Sequence, residues 1–194
     1  MVAWLDQIDK SIFLFLNGLN SPFWDVVMFH ISKKLIWIPL YAFLLFILIR
    51  QFKIKALWLF LFVIAAIALS DQASVHIFKN VFQRLRPCHQ ADLIGLVHTV
   101  YGKCGGQYGF VSSHAANTFA LAGFFFLLFR KRLPYIAFGL VVWAVIVSYS
   151  RIYLGVHFPG DILCGGILGF ALGSALAVIA LRLLKIPPEI PAKA

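Results

Sequence analysis

Long apolar runs alternate with short polar breaks over most of the chain. One run covers residues 35–50, extends backwards to about Pro22, and is closed by Arg50, Lys53 and Lys55. A second begins at 56–70 and a third covers 114–129, closed by Arg130, Lys131 and Arg132. Pro134 opens a fourth, to about Tyr149, and Asp161 a fifth, to about Leu184. An α-helix needs about 20 apolar residues to cross a bilayer's hydrocarbon core, and in lipid its backbone groups must be satisfied internally. The pattern therefore predicts an all-α polytopic membrane bundle of about five transmembrane helices. Residues 1–32 differ, because Phe23, Trp24, Val26, Val27 and Phe29 alternate there with Asp25 and His30. They predict an amphipathic segment of one or two helices at the interface, anchored by Trp4 and Trp24. Asn17-Gly18 and Asn20-Ser21-Pro22 are its turns.

The second run changes character along its length. Gln72, His76, Lys79 and Gln83 fall on one face of an α-helix, and a polar stripe in a membrane helix belongs against protein or water. Asp71, in the same turn, is assigned an internal hydrogen-bonding role. Residues 84–112 form a long Gly-rich polar loop. Gly165, Gly169 and Gly173 give the fifth run a small-residue face for close helix packing. Residues 186–194, with three prolines, are a tail. No repeat or composition shift marks a second unit, so 1–194 is expected to be a single domain. Met1-Val2-Ala3-Trp4-Leu5-Asp6 lacks the basic n-region of a secretory signal.

Composition agrees with the pattern: 62% of residues are hydrophobic and 12% charged, and the mean hydropathy is +0.91. A soluble domain carries about twice that share of charge. The net charge of +10 would suggest nucleic acid in a soluble protein. Here the bases sit in short loops between apolar runs, which is the signature of membrane orientation and anionic head groups, so no nucleic-acid partner is expected. The basic loops at 50–55 and 130–132, with Arg182 and Lys185, fall on one side of a five-span arrangement. That side is expected to be cytoplasmic, and the chain a multi-pass protein of the cytoplasmic (inner) membrane.

Topology then carries three polar segments to the opposite, periplasmic or extracellular face: Lys79 to Pro87, Ser112-Ser113-His114, and Ser150 to Asp161. Lys79, Arg86 and Arg151 are cations able to surround one anion. Ser112 and Ser113 stand at a helix start, where hydroxyls and free N–H groups attract anions. Asp161 follows His157 by four residues, and a carboxylate that orients an imidazole makes it a better nucleophile. His114 supplies a proton for a leaving group. This inventory suits phosphoryl transfer through a phosphohistidine. In the loop, Cys88, His89, His98 and Cys104 offer zinc ligands at irregular spacing; a Cys88–Cys104 disulfide on the oxidising side is the favoured reading. Cys164 reads as a small buried hydrophobe.

Three motifs carry a resemblance to a known family. Lys79, six residues and Arg86-Pro87 form the first; Val111-Ser112-Ser113-His114 stands where the second reads Pro-Ser-Gly-His; Ser150-Arg151, five residues, His157, three residues and Asp161 form the third. In this order and spacing, over roughly residues 56–180, the chain resembles the type-2 phosphatidic acid phosphatases, membrane lipid phosphatases that share their core with vanadium haloperoxidases. The resemblance implies that His157 is the nucleophile, oriented by Asp161, and that His114 protonates the leaving group. It implies that Lys79, Arg86, Ser112 and Arg151 hold the phosphoryl group, with Ser113 beside them in place of the family's Gly. It implies no metal and no cofactor, and the chain lacks the carboxylate cluster that Mg²⁺ prefers. The expected function is a lipid-phosphate phosphatase; undecaprenyl diphosphate and lipid A phosphate are the leading substrates, phosphatidylglycerol phosphate and phosphatidic acid the alternatives. Membrane lipids are its other expected partners. A phospholipid transporter or flippase is the rival, but transport sites lie near the midplane on broken helices, whereas these cations cluster at helix ends.

Overall fold

The computed structural model describes residues 3–187, and they are helical apart from loops and one isolated β-bridge. Helix α1 covers Ala3–Gly18 and α2 covers Pro22–Ile31. A 3₁₀ turn at Lys34–Trp37 leads into α3, Ile38–Phe52. Helix α4, Lys55–Gln72, runs on through a π-helical segment, Ala73–Lys79, into the short α5, Asn80–Phe82. Helices α6 (Ser113–Phe129), α7 (Pro134–Tyr153) and α8 (Pro159–Leu183) complete the bundle. Among the described residues, four helical stretches are long and apolar enough to cross a membrane, and α1 with α2 forms a pair bent by 114°.

Helix α6 has only 17 residues, yet it is the axis of the bundle. It packs on α8, α7 and α4, and its Leu121, Phe124, Phe125 and Phe129 meet Leu59 and Val63 of α4 and Leu140 and Trp143 of α7. The outer faces carry Phe46, Trp58, Leu61, Phe138, Val142, Leu163 and Ile167, all exposed. A chain with apolar residues on both its inner and outer faces is built for lipid rather than water. The α6–α8 contact explains the glycine spacing. A Cβ at Gly169 or Gly173 would overlap the carbonyl of Ala116 or Ala120, and one at Gly165 would lie 2.7 Å from the Ser112 carbonyl oxygen.

Two local expectations change. The first spanning helix does not reach back to Pro22: the chain turns at Ser32 and Lys33, and α2 is a separate helix with Ser21 as its N-cap. The polar stripe of the second span does not hold either. The π-helical segment rotates the register, so that Gln72, His76 and Gln83 are exposed while Ser74 and Lys79 turn inward.

The two ends of the bundle differ. At one, Arg132 donates to the Pro187 carbonyl at 2.6 Å and lies over the Phe52 ring, which gathers the basic segments 50–55 and 130–132 with the end of α8. At the other, α1 and α2 fold over the loops. Asn17, 1% exposed, donates to the carbonyls of His98, Ile152 and Tyr153 and accepts from the His98 N–H at 2.8 Å. Trp4, Leu5, Ile8 and Phe15 remain exposed on the opposite face of α1.

Candidate active site

Pro159 and Gly160 open α8, and the Asp161 carboxylate folds back to accept the Phe158 N–H at 3.0 Å, as an acid at the third helical position does. This geometry also aims Asp161 Oδ2 at His157 Nδ1, 3.3 Å away. With Nδ1 donating, the lone pair of Nε2 is left for attack on an electrophile. His157 is 2% and Asp161 0% exposed.

A second device holds Asp161. Arg84 donates to its Oδ1 at 2.9 Å, pairs with Asp9 at 2.8 Å and Asp6 at 3.1 Å, and lies over the Phe158 ring. Asp9 also accepts the Gly160 N–H at 2.8 Å. Helix α1 thus reaches the candidate catalytic pair through Arg84 and through the first turn of α8. Burial disfavours the charge on Arg84, but Asp161 and Asp9 outweigh it and hold its pKa above the ordinary arginine value. Sequence reading misses Arg84, which lies inside the first motif but is not one of its letters. The acids at positions 6 and 9 fall one helical turn apart on a single face of α1, and that spacing is the available signal.

The loop is pinned by a short pairing, with Arg86 N–H bound to Gln107 O at 3.1 Å and Gly109 N–H to Arg84 O at 2.8 Å. Gly109 crosses the His157–Asp161 pair closely: a Cβ there would sit 2.9 Å from Asp161 Oδ2. Arg86 holds the Tyr108 and Cys104 carbonyls through Nε and Nη1. Cys88 and Cys104 are joined in a disulfide. His89 is beside them, but both sulfurs are occupied, and His98 is engaged with Asp25, so the four residues do not form a zinc set.

Ser112 caps α6. Its Oγ accepts the Ala115 N–H, and its own N–H is spent on the Asp161 carbonyl at 3.0 Å. The Ser112 backbone N–H is therefore used to tie α6 to α8, and its hydroxyl proton remains to offer. Ser113 Oγ accepts from Lys79 Nζ at 2.6 Å and meets Ser74 Oγ at 2.7 Å. Arg151 donates to Ser32 Oγ from Nη1, and its buried Nε–H has no partner. His114 is within electrostatic reach of Arg151, His157, Lys34 and Lys79. Burial lowers the His157 pKa to about 4; Asp161 opposes this, and Arg86 and Arg151 add to it. The ring is thus neutral at ordinary pH, the state in which an imidazole can act as a nucleophile.

All eight candidate site residues, His157, His114, Asp161, Lys79, Arg86, Ser112, Ser113 and Arg151, lie at this end of the bundle. A groove of about 740 Å³ runs along α7 and α8 from Ile152 and Pro159, next to the site, past Tyr149, Val145, Leu163 and Ile167. The cavity that touches the site is smaller, about 120 Å³, and is lined by His114, Asn117, Lys34 and Trp143 among others.

Residues 56–184 match the sequence model of the PAP2 superfamily. The chain is 43% identical over 171 residues to a lipid A 4'-phosphatase of Bacteroides thetaiotaomicron, covering 87% of this chain and 75% of the relative. It is 38% identical over 170 residues to a lipid A 4'-phosphatase of Porphyromonas gingivalis, covering 86% and 70%. Among solved structures, the transmembrane PAP2-type phosphatidylglycerolphosphate phosphatase of Bacillus subtilis superposes with a TM-score of 0.64 at 25% identity, covering 96% of this chain and 89% of that one.

Proposed function

Since the chain belongs to the PAP2 superfamily and is an integral-membrane lipid-phosphate phosphatase, we propose that it removes a monoester phosphate from an acylated amino-sugar lipid of the lipid A type. The single observation that carries the mechanism is the His157–Asp161 pair, buried and held at 3.3 Å among Arg86, Arg151 and Lys79. Mere anion binding has no use for an oriented imidazole. The substrate class rests on the two relatives that are lipid A 4'-phosphatases and align over most of the chain.

In the proposed reaction the Nε2 lone pair of His157 attacks phosphorus, and the bond from phosphorus to the lipid oxygen breaks as the new N–P bond forms. His114 gives its proton to the departing oxygen. Arg86, Arg151 with its unpartnered Nε–H, and Lys79 balance the charge on the phosphoryl oxygens. Lys79 leaves Ser113 for this. In the second half, His114 takes a proton from water, the resulting hydroxide cleaves the N–P bond, and inorganic phosphate departs. Arg84 and Asp9 act through Asp161 and are positioning residues.

In the proposed orientation the end holding Arg50, Lys53, Arg130 and Arg182 faces the cytoplasm and the site faces the periplasmic or extracellular side of the cytoplasmic membrane. The lipid's hydrocarbon stays in the bilayer while its phosphate enters from the interface. The test is phosphate release from diphosphoryl lipid A in detergent, with chelator present. Wild-type release that vanadate blocks and His157→Ala abolishes is expected. Undiminished release by His157→Ala would remove this imidazole from the mechanism, and release only from other lipid phosphates would remove the substrate class.

A further inference from the structure

Helices α1 and α2 lie outside the matched stretch, residues 56–184, yet they hold three points of the site. Asp9 accepts the Gly160 N–H at 2.8 Å and, with Asp6, pairs with the Arg84 that holds Asp161. Asp25 accepts the hydroxyl of Tyr153, two residues after Arg151, at 2.7 Å. Ser32, at the end of α2, accepts from Arg151 itself. The α1–α2 pair is thus a brace that touches both the His157–Asp161 pair and the buried guanidinium of Arg151.

The same pair leaves its other face open. Trp4, Leu5, Ile8, Ile12 and Phe15 follow the three- and four-residue steps of one helix face, and all five are exposed. Asp6, Asp9, Phe13 and Asn17 fall at the same steps on the opposite side of α1, and that side meets the site and the loops. On α2, Phe23, Trp24 and Val26 are exposed in the same way. An apolar stripe opposite a bonded face is the pattern of a helix that lies in a membrane interface.

The position of α1 says what covers the stripe. Phe13, Leu14 and Leu16 pack with Ile152, Phe158 and Ile162. Ile152 and Ile162 also head the groove between α7 and α8, which continues past Leu163 and Ile167, two exposed residues of a helix long and apolar enough to span a membrane. Helix α1 therefore sits at the rim of a surface built for hydrocarbon. The 114° bend keeps α1 and α2 from crossing the bilayer as one straight helix, and the exposed Trp4 and Trp24 are of the type that settles at head-group level.

One rigid helix cannot turn its two sides independently. The roll that lays Trp4, Ile8 and Phe15 in the interface is the roll that points Asp6 and Asp9 at Arg84. We propose that the lipid surface acts as a ligand of α1 and α2: contact with it fixes the roll of α1, holds the Asp9–Arg84–Asp161 chain in place, and so sets the turnover at His157. The inference rests on the phosphatase reading above and adds a regulator of the same site. A ligand shifts a conformational equilibrium only by preferring one state. Here the preferred state is the docked roll, because any other roll lifts the stripe away from hydrocarbon.

The test has two arms. Nitroxide labels on Ile8→Cys and Phe15→Cys, in a Cys164→Ser background that keeps the Cys88–Cys104 bridge, are read in phosphatidylcholine liposomes. Oxygen relaxes both labels more than a water-soluble nickel chelate does, and a label on Gln7→Cys, exposed beside the stripe, shows the reverse order. Nickel-dominated relaxation at both stripe positions, or spin–spin broadening from a second copy, would overturn lipid as the occupant. The second arm measures phosphate release from diphosphoryl lipid A in the same liposomes. Ile8→Gln, Ile12→Gln and Phe15→Gln together lower kcat about tenfold and leave KM within about twofold, since a distant change that misplaces a reacting group costs rate. The corresponding three Leu substitutions keep the wild-type kcat. On Asp9→Asn the three Gln changes cost less than about twofold more, because the path is already cut. General damage to the fold would instead multiply in full on Asp9→Asn; that result, or a wild-type kcat in the Gln variant, would overturn the coupling. Wild-type protein that releases no phosphate would overturn the phosphatase reading and the coupling with it, while the labels decide the docking by themselves.

Discussion

Both ends of this bundle are rich in arginine and lysine, yet the two sets of cations live in different surroundings. At one end Arg50, Lys53, Arg130, Arg182 and Lys185 close helices or fill short turns, and Arg50, Lys53 and Arg130 are exposed. At the other, Arg84, Arg86, Arg151 and Lys79 are withdrawn from water and meet carboxylates, hydroxyls or backbone carbonyls. The first set satisfies the charge asymmetry of a membrane, for which almost any exposed basic residue serves. The second set has been desolvated, and groups of this kind are kept where charge must be met at a fixed point. The difference separates a topology signal from a site, although the residue types are the same.

Removing cations from the two ends tests that distinction. Arg151→Ala takes away the buried guanidinium with the unpartnered Nε–H, and is expected to lower kcat by about 10²–10³, the scale of losing one preorganised charge stabiliser. Arg84→Met leaves Asp161, Asp9 and Asp6 without their common partner. It should destabilise the protein by about 3–5 kcal/mol, since a buried carboxylate is left uncompensated. Thermal unfolding in detergent measures this, and kcat should fall with little change in KM, because Arg84 acts through Asp161 and not on the lipid.

The pH dependence sharpens the same contrast. His157 has a folded-state pKa of about 4, below the ordinary histidine value, because it is buried and faces Arg86 and Arg151. Between about 6.5 and 4 the unfolded chain binds a proton here that the folded chain does not, so this residue makes stability fall as pH drops through that window. Above about 6.5 both states are neutral at this position and it contributes no slope. The nucleophile's own acid limb in kcat/KM is expected near pH 4, and a limb at the ordinary imidazole value that moves in Asp161→Asn would show that burial does not set it. The smallest effect belongs to the other end: Arg182→Gln should change kcat/KM by less than about twofold, as surface charges contribute little.

Much of the site is legible in the sequence because it is built from short motifs at helix ends, and helix ends are readable. Pro159, Gly160 and Asp161 announce an N-terminus, and the four-residue step to His157 announces a contact. The apolar runs announce the spans, since each needs only length and hydropathy. What is not legible depends on register and long-range packing. The π-helical segment at Ala73–Lys79 has no composition of its own, so the splitting of the stripe, with Lys79 turned inward and Gln72, His76 and Gln83 exposed, cannot be read from spacing. Arg84 is an ordinary loop residue until Asp6 and Asp9, 78 and 75 positions earlier, are folded onto it. Ser113, where the family motif has Gly, reads as a loop change; its hydroxyl instead holds Lys79 beside Ser74.

That an imidazole, and not water, strikes phosphorus first is tested most directly by the stereochemical course of the reaction. A phosphorothioate analogue of the substrate, made chiral at phosphorus with its sulfur and two oxygen isotopes and hydrolysed in water carrying the third, yields inorganic thiophosphate whose configuration can be read. Two successive in-line displacements, one by His157 and one by water, predict overall retention. Inversion would mean a single attack by water and would contradict a nucleophilic role for the His157–Asp161 pair.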